Sequence, residues 1–170
     1  MTILLKTCCV AALIAFTLFA GPYALAQNAQ LEANKKIAYE AIELWLSGTK
    51  VKPEAILAPD YTNHQDTRVG FGTEPPTWTM AKFKAELKKY HAAFSDVKVT
   101  SRVQVAEGDM VATRVVLSAV HTGTYIDEPP TRKTIHYDSV EIVRIKDGKI
   151  AETWETWDKY GMFKQIGLIK

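Results

Sequence analysis

The chain has 170 residues, with 21 Lys and Arg against 19 Asp and Glu. That near balance supplies no polycationic surface for nucleic acid or an anionic membrane. Its two cysteines are Cys8 and Cys9, so nothing beyond them can build a disulfide framework, a thiol nucleophile or a thiolate metal site.

Residues 1–26 read as a secretory signal peptide. Lys6 gives the positive start, Val10 to Ala20 the apolar run, and Ala24-Leu25-Ala26 a small-x-small cleavage site. The run is short for a membrane span. The expectation is therefore a secreted or periplasmic protein, with no membrane contact after cleavage near Ala26. Residues 27–170 would form one domain, a length sufficient for a self-supporting core.

Leu31 to Ser47 has helical spacing, with Ile37, Ala41, Leu44 and Trp45 on one stripe and Gly48 as a stop. Val51 to Pro59 suggests a turn of helix, and Tyr61 to His64 a short strand. Gln65 to Thr77, rich in Gly, Pro and Thr, reads as a loop bordering a pocket. Phe83, Leu87, Tyr90 and Phe94 mark a second helix from Thr79 to Phe94, with its lysines on the solvated face.

From Val97 the period becomes two. Met110 to His121, Thr134 to Ile145 and Ile150 to Asp158 read as further strands, turning at Glu107-Gly108-Asp109 and Asp147-Gly148. Helices first and an antiparallel meander after them specify an α+β fold, helices on one side of a curved sheet. A two-residue turn at Asp147-Gly148 pairs Ile145 with Ile150, Glu141 with Trp154 and Tyr137 with Asp158. A symmetric loop near Glu128-Pro129 pairs His121 with His136. Without bulges, Arg114, Val116, Ser118, Tyr137, Glu141, Glu152, Trp154 and Asp158 share one face. Leu117, His121, His136, Asp138, Val140, Glu155 and Trp157 share the other. One face is expected to line a pocket. The other, apolar at Leu117, Val140, Ile142 and Trp157, is expected to meet a second copy of the chain.

After Asp158, Tyr160, Phe163, Lys164 and Ile166 follow a helical rhythm that stops at Gly167. Asp158 thus stands where a strand meets a helix. Two roles fit it: a buried acid/base with a raised pKa, or the N-cap of the closing helix.

The chain resembles the SnoaL-like polyketide cyclases, or ester cyclases, of the nuclear-transport-factor-2-like superfamily. The resemblance is carried by Ala93-Phe94-Ser95-Asp96, Gly108 to Arg114, His121-Thr122-Gly123, Pro129 to Lys133, Asp147 to Trp154, Asp158 and Gln165-Ile166-Gly167. It implies a cone-shaped α+β barrel with a pocket between sheet and helices. It also implies acid/base chemistry, such as an intramolecular aldol closure, without metal or cofactor. By position Asp158 looks like the family's catalytic aspartate, and His121 belongs to the family motif. Tyr137, Trp154, His64 and Phe94 are the expected substrate-binding residues. Two departures stand out: Ala119-Val120 replaces Gly-Thr before the histidine, and Arg132 replaces the glycine of the P-P-T-G-K loop.

The four histidines, His64, His91, His121 and His136, show no H-x-H, H-x-x-H or HExxH spacing, so no metal site is expected. No G-x-S-x-G elbow is present. Two further classes remain beside an enzyme. One is a non-catalytic small-molecule-binding protein, the other a dimeric interaction module on the same fold.

Overall fold

A computed structural model describes residues 25–65 and 77–170. The expected signal peptide, apart from Leu25 and Ala26, lies outside the described residues, as does most of the expected loop from Gln65 to Thr77.

The first helix, α1, covers 25–43. It ends before the expected Ser47 because its last turn tightens. The amides of Leu44, Trp45 and Leu46 donate to carbonyls three residues back. Ser47 then ties to the sheet, its hydroxyl accepting from the Val97 amide at 2.9 Å. Leu44 and Trp45 therefore enter the core from a turn rather than from the helix. A short helix α2 (Pro53–Ile56) leads directly into β1 (Leu57–Gln65), a longer strand than expected. After β2 (Thr77–Thr79), helix α3 (Met80–Ala93) starts on a Thr79 side-chain cap.

The meander follows as β3 (Phe94–Glu107), β4 (Met110–His121), β5 (Thr134–Lys146) and β6 (Lys149–Trp157), and helix α4 (Lys159–Ile166) closes the chain. The sheet has six strands in the order β2-β1-β6-β5-β4-β3. β1 docks parallel to β6, and the other described pairings are antiparallel. The fold is α+β, as expected. The curved sheet does not close into a complete barrel among the described residues.

Two register expectations are corrected. Ile145 does pair with Ile150, but the next pair is Arg144 with Glu152, so Ala151 is a bulge. Glu141 then faces Glu155 rather than Trp154, and Ser139 faces Trp157. One inserted residue moves every later side chain of the strand to the opposite face. The long loop is also not symmetric about Glu128-Pro129. It contains its own tight turn, Tyr125 bridging Glu128 with Ile126 and Asp127 both at positive φ. Ser118 therefore pairs with His136, while the His121 amide reaches the Lys133 carbonyl.

The inner face of the sheet consequently carries Leu117, His121, Tyr137, Glu141, Glu155 and Trp157. Strand β5 alternates without a break between buried and less buried positions. Arg114, Val116, His136, Asp138, Val140, Ile142, Glu152 and Trp154 lie on the outer face, so the expected apolar dimer patch loses Leu117 and Trp157.

Candidate active site

The bulge in β6 and the turn after α1 together shape a cavity between the inner sheet face and the helices. It holds about 650 Å³ of empty space, its open mouth included. Ile42 and Trp45 come from the end of α1 and its turn, Trp78 from β2, and Glu86 and Tyr90 from α3. The sheet supplies Leu117, Tyr137, Ser139, Glu141, Glu155 and Trp157, with Tyr125 from the long loop and Met162 from α4. Aromatic edges build the wall. Trp45 meets Tyr90 edge-on at 5.2 Å, and Trp157 meets Tyr137 at 6.0 Å.

Glu141 is the chemical centre of this wall. It is only 5% exposed. Burial pushes its carboxyl well above the ordinary range, and the charge of Glu155, its cross-strand neighbour, pushes it further. Burial and the second carboxyl group thus both favour the protonated form of Glu141. Glu86 behaves oppositely: burial raises it, but hydrogen bonds from Lys89 and Lys82 outweigh burial and leave it below the usual carboxylate range.

Hydroxyl donors surround the pair. The Tyr90 and Tyr137 hydroxyls share a 2.5 Å hydrogen bond. Burial holds the Tyr137 phenol well above its ordinary value and lifts Tyr125 to about 12, so both stay neutral donors. The Ser139 hydroxyl and the Trp78 indole N–H are buried, with no hydrogen-bond partner among the described residues. A buried polar group left without a partner is costly, and here two of them border one cavity.

The expected site residues are dispersed. Tyr137 lines the cavity. Asp158 does not; it is exposed and caps α4, accepting from the Gly161 amide at 2.8 Å. A Cβ at residue 161 would lie 2.0 Å from the Asp158 carboxylate, which explains glycine there. His121 is fully buried at the end of β4, away from the lining. Its Nδ1 meets the Thr131 hydroxyl at 3.1 Å, and burial lowers its pKa. It ties the two ends of the loop that carries Tyr125. Phe94 caps α3 and packs against Tyr90, His121 and Tyr125 in the core. His64 and Trp154 stack at 4.8 Å on the outer face, where His64 meets Glu152 at 2.9 Å. Among the described residues no group of three or more His, Cys, Asp or Glu is placed to hold a metal ion.

Glu86, Glu141, Glu155 and Ser139 are polar cavity residues that the sequence did not single out for chemistry. The signal for Ser139 and Glu141 was the strict alternation of Tyr137, Ser139, Glu141 and Val143 in one strand. A carboxylate at an inward position of a buried strand is a candidate for a raised pKa.

Comparison with known proteins agrees with this architecture. The model of the SnoaL-like polyketide cyclase family matches residues 36–166. Nogalonic acid methyl ester cyclase of Streptomyces nogalater is 30% identical over 115 residues, covering 64% of this chain and 78% of that protein. IdmH of Streptomyces antibioticus, assigned as a polyketide cyclase, is 26% identical with a TM-score of 0.67, over 79% of this chain and 98% of its own. AclR of Streptomyces galilaeus, assigned as a hydroxylase, shares the fold at 21% identity, a TM-score of 0.71, and 82% and 83% coverage. The chain belongs to the SnoaL-like polyketide cyclase family.

Proposed function

We propose that the protein is an acid/base enzyme of cyclase or isomerase type, acting on a small, oxygenated, mainly apolar molecule in the cavity. The observation that carries this reading is Glu141, a buried carboxyl with a raised pKa beside Glu155 in an aromatic-walled space. In an aldol-type ring closure, the Glu155 carboxylate takes a proton α to one carbonyl. The resulting carbon attacks a second carbonyl within the same molecule, and Glu141 gives its proton to the oxygen that becomes a hydroxyl. One proton enters and one leaves, so no redox partner is required. Tyr137, backed by Tyr90, donates to the developing oxyanion. Asp158 on this reading is a structural cap. Family membership supports the reaction class, and the mainly apolar lining supports an apolar substrate. Export through residues 1–26 and pairing of two copies across the outer sheet face belong to the same proposal.

Nogalonic acid methyl ester, named for a relative, is the first compound to assay. Glu141→Gln is expected to lower turnover by about 10²-fold or more, the scale of one acid/base group, while the protein stays folded. Asp158→Asn is expected to leave turnover within about threefold, because an asparagine also caps a helix. Full activity in Glu141→Gln, measured with confirmed folding, would remove Glu141 from the chemistry.

A further inference from the structure

Several polar groups around the cavity are already engaged. Glu86 is held by Lys82 and Lys89, at 3.0 and 2.7 Å, and the Tyr90 and Tyr137 hydroxyls hold each other at 2.5 Å. The Ser139 hydroxyl and the Trp78 indole N–H are not: each is buried, borders the cavity and meets no hydrogen-bond partner among the described residues. Protein interiors satisfy nearly all such groups, because a buried donor without a partner forfeits the hydrogen bond it had in water. Ser139 is 4% exposed, so bulk solvent does not reach it either. The partner of each group therefore comes from what fills the cavity. Ser139 stands on the inner face of β5 between Tyr137 and Glu141, opposite Trp157 of β6. It is thus about 7 Å along the strand from each of its two neighbours on that face. Trp78 belongs to β2, three strands away in the sheet order. Its row runs through Asn63 and Thr153 to Val143, four residues beyond Ser139 on β5. The two donors therefore serve separate oxygens.

We infer that Ser139 and Trp78 are ligand-binding residues that select for oxygen. Trp78 Nε1 donates to one neutral oxygen acceptor of the ligand, and the Ser139 hydroxyl donates to another, between Tyr137 and Glu141. This rests on the cavity being the ligand site proposed above, and it adds to that reading the two contacts that choose among ligands of one size. The indole N–H only donates, so it requires a carbonyl, ester or ether oxygen. A hydrocarbon of the same shape fills the space but leaves both donors without a partner. A buried site discriminates most strongly in that situation. The free protein carries both donors at a cost that the ligand removes.

The probes are para-diacetylbenzene and para-diethylbenzene, which share nearly one shape and differ in their carbonyl oxygens. Equilibrium dialysis with the full chain at neutral pH gives the ratio of their affinities. The effect of a variant on that ratio isolates the contact, because each compound's own hydration cancels. Ser139→Ala and Trp78→Phe should each shift the ratio by about fivefold or more towards the hydrocarbon, while para-diethylbenzene binding persists. Unliganded Ser139→Ala should melt at or above the wild-type temperature, because it removes a group that the fold leaves unpaired. A ratio left unchanged by a variant would overturn the assignment of that residue and leave the cavity as a ligand site. A clearly lower melting temperature for unliganded Ser139→Ala would give the hydroxyl to the fold, and would overturn its assignment in the same way. Failure of both compounds to bind the wild type would overturn the ligand site itself, and the two contacts with it.

Discussion

Of the two roles that fit Asp158, the structure shows the helix cap, and the buried carboxyl of the cavity is Glu141 instead. Both are carboxylates, and only Asp158 stands beside a tryptophan in the sequence. Asp158 follows the last strand and spends its oxygen on the Gly161 amide, whereas Glu141 stands mid-strand, where burial keeps its proton on. Asp158→Ala should therefore cost about 1 kcal/mol of stability, read as a lower denaturant midpoint at constant slope. An unchanged midpoint would mean that the cap contributes nothing. Arg132 is the second residue whose backbone matters. It sits at φ 62°, in the left-handed region that glycine adopts most easily, with its amide donating to the His121 carbonyl at 2.9 Å. A side chain in this left-handed region costs about 1 kcal/mol. Arg132→Gly should raise stability by up to about that amount, less the extra freedom glycine gains when unfolded. A clear loss in thermal unfolding would show that the arginine side chain is itself needed.

At the scale of elements, most of the fold is legible in sequence, because periodicity marks α3, β4, β5, β6 and α4 within a few residues. The Asp147-Gly148 turn and the Gly167 cap are legible as well: Asp147, Gly148 and Gly167 all take positive φ. The pairing of β1 with β6 is not, since a parallel neighbour far apart in sequence leaves no local pattern. The site fails to appear for a narrower reason. Ile150 and Trp154 share a face if β6 is regular, while Ile150 and Trp157 share one only if a residue is inserted, and both choices bury an apolar pair. The chain takes the second, and the bulge at Ala151 turns Glu155 and Trp157 inward and Trp154 outward. Hydrophobic pattern alone does not choose between these registers. The alternation in β5, anchored by Ile135, Tyr137, Val143 and Ile145, already puts Glu141 inside.

At the scale of the molecule, two buried groups bound the pH range of stability from opposite sides. Glu141 has a raised folded pKa, so its contribution is fully present below the unfolded value of 4.5 and is lost as pH rises through the folded one. His121 has a lowered folded pKa, so stability is lost as pH falls below 6.5. The stability difference between wild type and Glu141→Gln should move against the wild type as pH rises, measured by thermal unfolding across pH. A difference that stays constant would mean that Glu141 titrates normally. The outer sheet face is the other molecular feature. Val103, Val105 and Ile142 are 59, 64 and 38% exposed there. If two copies pair across it, light scattering at micromolar concentration reads a dimer mass, and Ile142→Lys reads a monomer. A monomeric wild type would contradict the pairing.

The most direct test is the titration of the Glu141 carboxyl carbon by NMR in the folded protein, with Glu141→Gln assigning the signal. A midpoint well above 4.5 is the predicted result. A midpoint at or below 4.5 would mean an ordinary carboxylate, and it would contradict the proton transfer assigned to Glu141.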